Sequence, residues 1–184
     1  MAEQDLALDA LKKKILEQRL KKKISTQPRT STQVAIPPAD RSGPLPLSWS
    51  QQRLWFIDQL DHAAGAAYHM PAALRLKGTL DRDALGKTLD RIVARHENLR
   101  TTFVNTESGP AQSIAPADVG FALQTVDLRA LDDAAREAEL LRQAREEARA
   151  PFDLSAGPLF RGRLLVLAGD EHALLLTQHH IVSD

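Results

Sequence analysis

The chain has 184 residues, of which 43% are hydrophobic and 26% charged, a composition typical of a soluble globular domain. Its 24 basic and 24 acidic residues leave no net charge to attract nucleic acid or an anionic membrane. There is no cysteine, which excludes disulfides, thiolate zinc sites and a cysteine nucleophile. No stretch approaches the roughly 18 apolar residues of a membrane-spanning helix. We therefore expect a cytoplasmic protein without nucleic-acid or membrane partners.

Residues 1–24 are predicted to form an amphipathic helix. Apolar side chains recur at steps of three and four from Leu8 to Leu20, and residues 21–23 are lysines that suit the negative end of a helix dipole. This helix could dock a partner protein, lie on a membrane surface or be a solvated leader. Residues 25–46 contain five of the ten prolines and are predicted to be an extended linker. Residues 47–184 then form the domain.

The first half of this domain is predicted to alternate helices with strands. Ser48 to Leu60 is predicted as a helix with a capping box formed by Ser48 and Gln51. A strand follows over Tyr68 to Leu80, and the most regular helix covers Asp81 to Leu99. The apolar stripe of the first helix is expected to consist of Leu54, Ile57 and Leu60, widened by Trp55 and Phe56.

The second half is predicted to begin with a hairpin, in which strands 101–104 and 111–114 flank the turn residues 107–110. A further strand covers 121–128, and a helix rich in Ala, Glu and Arg covers 132–150 until Pro151 ends it. Strands 159–168 and 172–178 form a final antiparallel pair. The fold class is therefore α+β, a mixed sheet with helices packed on it.

The last six residues are the first candidates for a functional site. They read His-His-Ile-Val-Ser-Asp and follow an apolar run that is predicted to be a buried strand. Histidine exchanges protons near neutral pH. Successive strand side chains point to opposite faces, so His179 and His180 are poorly placed to bind one metal ion. Catalysis, a metal site and a strand end without function all remain open from these residues alone. His62, His69 and His172 are interpreted as surface residues.

Four stretches of the sequence carry distinctive motifs. The ending has the form His-His-x-x-x-Asp. Residues 48–55 read Ser-x-Ser-Gln-x-Arg-Leu-Trp, residues 95–103 read Arg-His-Glu-x-Leu-Arg-Thr-x-Phe, and residues 151–154 with 157–159 form a further run. Together these stretches resemble the condensation domains of nonribosomal peptide synthetases, whose first core motif has Ala in place of Ser50 and whose second motif is matched at each specified position. The family motif continues with Gly after Asp184, so the sequence resembles an incomplete N-terminal lobe.

The resemblance implies a chloramphenicol acetyltransferase-like fold and amide-bond formation between two aminoacyl or peptidyl thioesters. His180 is then the expected catalytic residue, as a general base or as a group that positions the amine and stabilises the intermediate. His179, Asp184, Arg95 and Arg100 are expected to support the site, with Arg95 pairing with Asp184. The fragment alone is expected to be inactive.

The resemblance also implies partners. These are a donor and an acceptor peptidyl carrier protein, and possible docking of an upstream synthetase subunit through residues 1–24. Phosphopantetheine is expected to arrive on the carrier proteins, with no metal and no bound cofactor in the chain itself. The alternatives are a non-catalytic docking module, a related epimerisation or acyltransferase domain, and a metal hydrolase.

Overall fold

The structure is a computed structural model that describes residues 37–61 and 64–183. Its three helices are α1 (Trp49–Leu60), α2 (Arg82–Arg95) and α3 (Asp133–Arg149). Its strands are β1 (Leu45–Pro46), β2 (His69–Lys77), β3 (Thr101–Thr106), β4 (Gly109–Ile114), β5 (Ala122–Asp127), β6 (Phe160–Val166) and β7 (Glu171–His179). The predicted helix over residues 1–24, His62 and Asp184 lie outside the described residues.

These strands form two sheets. The smaller sheet has the order β1-β4-β3 and is antiparallel throughout, and the predicted hairpin supplies β3 and β4. The larger sheet has the order β2-β7-β6-β5. β7 is antiparallel to both of its neighbours, whereas β5 and β6 run parallel. That parallel pair needs a long crossover, and α3 supplies it. The α+β class with a mixed sheet is therefore confirmed.

Each helix begins at a side chain that accepts a backbone hydrogen bond. Ser48 and Gln51 form the predicted capping box at α1, with distances of 3.2 Å from the Gln51 amide and 2.9 Å from the Ser48 amide. Asp81 caps α2 and Asp132 caps α3 in the same way. These contacts satisfy amide donors that a helix start otherwise leaves unpaired.

The prediction that the apolar side chains of α1 all face the core is wrong for Phe56 and Leu60. Leu54 and Trp55 pack against the core, but Leu60 is 71% exposed and Phe56 is 57% exposed. The charged side chain of Asp58 is buried instead, at 3% exposure. The helix therefore contacts the lobe through a face that the apolar spacing did not identify, and it leaves large apolar side chains in solvent.

Two apolar clusters form the core. One lies around β6, β7 and α3, with Leu165 and Leu175 near its centre. The other lies beneath the end of β7, and it buries Ile181 and Val182 against Phe103, Phe152 and neighbouring leucines. The core therefore reaches directly under the residues that the sequence marks as functional. No helix in the described part of the chain is long and apolar enough to cross a membrane.

Two histidines interpreted as surface residues are not at the surface. His172 is only 4% exposed, because β7 is covered on both faces where the alternation of buried and exposed positions disappears. His69 is half-buried at the start of β2, where its ring contacts Phe152 and faces His179. The interpretation of both residues is therefore corrected.

Candidate functional site

Strand β7 ends at His179 and leads into a short 3₁₀ turn over His180–Val182. We call residues 179–183 the histidine turn. His179 is buried at 1% exposure, while His180 is exposed to solvent. The two rings therefore lie in different environments, as the alternation of side chains at a strand end predicts. Only His180 is available to a substrate.

The buried ring holds the backbone of the turn. Nδ1 of His179 accepts a hydrogen bond from the Ile181 amide at 3.1 Å, so the ring proton is on Nε2. The His179 amide donates to the Leu159 carbonyl at 2.9 Å. Burial, with smaller contributions from the neighbouring His69 and His180, lowers the pKa of His179 from 6.5 to about 4. His179 is thus neutral near neutral pH, and its ring is in contact with the backbone of the turn.

The exposed ring has a polar neighbour within the same turn. Nδ1 of His180 lies 3.4 Å from Oγ of Ser183. That hydroxyl also lies 3.4 Å from Sδ of Met70 on β2. The hydroxyl oxygen can accept a hydrogen bond from Nδ1–H, and in that tautomer Nε2 carries no proton and can receive one from a substrate.

His180 lines an open cavity of about 490 Å³, within the size range of small-molecule sites. Three separate parts of the chain meet there. The N-terminal turn of α1 contributes Ser50 and Gln51, the connection between α2 and β3 contributes Asn98, and β4 contributes Gln112. The first two of these parts belong to the motifs at 48–55 and 95–103, so the fold brings both motifs to the histidine turn.

Gln51 joins the first motif to the turn directly. Its side-chain oxygen accepts from the Ser48 amide, and its Nε2 donates to the Ile181 carbonyl at 3.4 Å. The histidine turn is therefore held from two sides, by His179 through the Ile181 amide and by Gln51 through the Ile181 carbonyl.

The predicted supporting arginines occupy different places. Arg95 ends α2 and is exposed. Its expected partner, Asp184, lies outside the described residues, so their pairing stays a prediction. The Arg100 side chain is only 10% exposed, lies 3.5 Å from the Glu97 carboxylate and donates to the Ala115 carbonyl. Arg100 thus fixes the start of β3 against the segment that follows β4.

Asn98 and Gln112 are not predicted as site residues from the sequence, and Gln51 is predicted only as part of a helix cap. For Asn98 and Gln51, membership of the two motifs was the available signal. Gln112 gave no signal, because only the pairing of β3 with β4 brings it to the cavity. Within residues 37–61 and 64–183, no three His, Asp or Glu side chains come together as metal ligands do.

The chain matches known proteins over most of its length. The family model described as "Condensation domain" matches residues 41–184. Malpibaldin synthetase of Mortierella alpina is 52% identical over 149 residues, which are 81% of this chain and 3% of that protein. Chondramide synthase cmdD of Chondromyces crocatus is 47% identical over 148 residues, 80% of this chain and 4% of that protein. The chain thus spans only a few per cent of the length of these relatives.

Solved structures show the same fold. The X-domain from teicoplanin biosynthesis has a TM-score of 0.66 and 31% identity, covering 78% of this chain and 29% of that one. The first condensation domain of the calcium-dependent antibiotic synthetase, in complex with a substrate analogue, has a TM-score of 0.64 and 29% identity, covering 76% of this chain and 33% of that one. The chloramphenicol acetyltransferase-like fold is therefore confirmed, and the chain belongs to the condensation-domain family of nonribosomal peptide synthetases.

Proposed function

We propose that the chain provides the histidine turn and one wall of a catalytic site that joins two carrier-bound thioesters through an amide bond. The observation that carries this proposal is that the two histidines of the turn lie in different environments. A buried, neutral His179 fixes the backbone, and His180 projects into a cavity of about 490 Å³. This arrangement suits a reaction in which one histidine handles a substrate proton.

In this reaction the free amine of the acceptor attacks the carbonyl carbon of the donor thioester. A C–N bond forms, the C–S bond breaks, and the sulfur of the donor's phosphopantetheine arm leaves as a thiolate. The thiolate takes up a proton, and the attacking nitrogen, which becomes positively charged as the C–N bond forms, must lose one. We assign the removal of this proton to Nε2 of His180, the ring nitrogen on the side away from Ser183.

The supporting residues keep His180 where the amine would meet it. His179 and Gln51 hold the Ile181 peptide group from its two polar ends. We assign Arg100 to the β3 and β4 region of the wall, and Arg95 with Asp184 to the end of the turn. Fixing a catalytic group in this way accelerates a reaction because less freedom is lost on reaching the transition state.

The partners in this proposal are a donor and an acceptor carrier protein, each with phosphopantetheine as part of its substrate. The chain itself would hold no metal and no resident cofactor, and the protein would act in the cytoplasm. Residues 1–24 would contact an upstream synthetase subunit. The chain covers about a third of each solved domain to which it is similar, so we propose that catalysis needs the remaining part of the domain.

The test is a peptide-bond assay with two loaded carrier proteins, run on this chain and on a domain that carries both lobes. We expect product only from the two-lobed domain. A two-lobed His180→Ala variant serves as the matched control for uncatalysed transfer. If the folded two-lobed domain made no product from properly loaded carriers, the condensation function would be wrong. An interaction module or a related acyltransferase or epimerisation domain would then be the better assignment.

A further inference from the structure

Side chains from two strands of the larger sheet hold the C-terminal end of α3. The last carbonyls of a helix have no partner within the helix. Here, Nδ1 of His69 lies 2.9 Å from the Ala148 carbonyl oxygen. The Arg161 guanidinium donates to the Glu147 carbonyl at 3.3 Å and to the Ala150 carbonyl. Polar groups from β2 and β6 thereby fix the helix end to the sheet.

The acceptor determines the protonation pattern of the His69 ring. A carbonyl oxygen only accepts hydrogen bonds, so the proton in this contact must be on Nδ1 of His69. His179 has the opposite pattern, because its Nδ1 accepts from the Ile181 amide. His69 is directly opposite His179 in the pairing of β2 with β7, and their ring centroids are 6.0 Å apart.

A single aromatic ring connects these groups. Phe152 is 7% exposed and meets His69 edge-on, with ring centroids 4.9 Å apart and planes at 84°. The Arg161 guanidinium carbon lies 3.8 Å from the Phe152 ring centroid. The His179 ring is 6.0 Å from Phe152 at 85°. Continuous packing therefore runs from the end of α3 through His69 and Phe152 to the ring that holds the histidine turn.

We propose that His69 is a positioning residue for His180 and that it acts through His179. This proposal rests on the proposed function. The hydrogen bond to Ala148 fixes the His69 ring, and the fixed ring keeps Phe152 and His179 in place. When this bond is lost, the His179 ring gains freedom, its contact with the Ile181 amide weakens, and His180 leaves the position that the amine requires. A misplacement of about 1 Å can reduce catalysis by about a hundredfold.

Two amide substitutions separate the hydrogen bond from the bulk of the ring. In His69→Asn the amide nitrogen is close to the former position of Nδ1, so it can still donate to the Ala148 carbonyl. In His69→Gln the nitrogen is farther along the side chain, near the former position of Nε2, and misses that carbonyl. His69→Leu fills the space and donates nothing. All three are made in the two-lobed domain.

We expect kcat to fall about tenfold or more in His69→Gln and His69→Leu, with KM for both carrier proteins unchanged. We expect His69→Asn to remain within about threefold of the wild-type kcat. A kcat for His69→Gln equal to that of His69→Asn would overturn the proposal. The same holds for a wild-type kcat in His69→Leu. If His69→Leu does not fold, the two amide variants still decide.

A spectroscopic measurement tests the route through His179 independently of turnover. With ¹⁵N-labelled histidine, NMR reports which ring nitrogen of His179 carries the proton. We expect Nε2–H in the wild type and in His69→Asn, and a mixture of tautomers in His69→Gln. An unchanged His179 tautomer in His69→Gln would exclude this route. If the wild-type domain makes no product, the proposed function fails, and the NMR result still tests the positioning role.

His172→Ala is the matched control for lost stability. His172 is also buried, lies on the same strand and is separated from His179 by seven positions. We expect His172→Ala to lower the melting temperature without changing kcat or the His179 tautomer. If His172→Ala reduced kcat as much as His69→Gln, the effect of His69 would be one of general stability and the proposal would be wrong.

Discussion

The two ends of strand β7 each bury a histidine, but they differ in what surrounds it. His172 at the start of β7 pairs in register with Leu76 and Val166 and lies at the aliphatic end of the sheet. His179 at the other end contacts His69 and Phe152 and accepts a backbone hydrogen bond. In the described part of the chain, each ring has one buried nitrogen without a protein partner.

Burial alone therefore does not distinguish a functional histidine from a core residue in this lobe. The distinguishing feature is a polar contact with a backbone turn that presents a second, exposed side chain. At the His172 end, the strand simply continues from a surface turn at residues 168–170. At the His179 end, the strand passes into the turn that exposes His180.

The largest expected difference between the two ends is in catalysis. In the two-lobed domain, His180→Ala should reduce the rate of amide formation by about a hundredfold or more, because a proton acceptor is lost. Its melting temperature should stay unchanged, since the side chain is exposed. The measurement is single-turnover product formation with loaded carriers. A rate near that of the wild type would remove His180 from the mechanism.

The second difference is in the pH dependence of stability. The folded pKa of His179 is about 4, against an ordinary value of 6.5, so the unfolded chain binds more protons between these values. Stability is therefore complete above about pH 6.5 and falls as the pH decreases towards 4, by about 2 kcal/mol once solvent screening is allowed for. Urea denaturation at several pH values measures this slope.

His179→Asn is the control for this slope. The amide oxygen of asparagine can still accept from the Ile181 amide, but the side chain does not titrate. We expect stability in His179→Asn to depend less on pH in the same range. An unchanged slope would assign the acid sensitivity to other groups.

Between the two ends, Gly162 sets the spacing of β6 and β7. A Cβ atom at this position would lie 2.5 Å from the Leu175 carbonyl oxygen and 2.8 Å from Cδ2 of Leu176. We expect Gly162→Ala to destabilise the fold by about 2 kcal/mol, because backbone must move to accept the methyl group. Gly86→Ala is the control. It lies in α2 with open space around it and should stabilise by about 0.5 kcal/mol. Equal melting temperatures for the two variants would contradict this view of the sheet.

The smallest effect is expected for His172→Leu. This substitution replaces a buried ring, whose Nδ1 has no partner within the described residues, with an apolar side chain of similar size. We expect a change in stability of less than about 1 kcal/mol and no change in catalysis. A loss of activity would show that the His172 end also supports the site, and the contrast between the two ends would disappear.

The helices, the hairpin, the last strand pair and the exposed histidine could be predicted because their signals are local. Capping residues, turn residues and short apolar runs each act over a few positions. The burial of His172 could not be predicted, because a strand covered on both faces has no alternation from which a side can be inferred.

The contacts that His69 and Gln51 make across the fold could not be predicted for a different reason. His69 meets the Ala148 carbonyl across 79 positions of sequence, and Gln51 meets the Ile181 carbonyl across 130. Nothing near His69 in the sequence indicates such a contact. Leu60 was predicted to face the core but is exposed. Helical spacing shows which apolar side chains share a face, but it does not show how much of that face the rest of the lobe covers.

The short strand β1 has a practical consequence for recombining synthetase domains. Leu45 and Pro46 pair with β4, and Gln112, which lines the cavity, donates to the Pro46 carbonyl at 2.8 Å. Just upstream, Arg41 forms two hydrogen bonds with Glu97, at 3.0 Å and 2.6 Å. A fusion joint placed between Pro46 and Leu47 would exchange these partners for foreign ones. A joint placed before Asp40 would keep β1, the Arg41–Glu97 ion pair and the contact between Gln112 and Pro46 together, because all of these residues would come from the same protein.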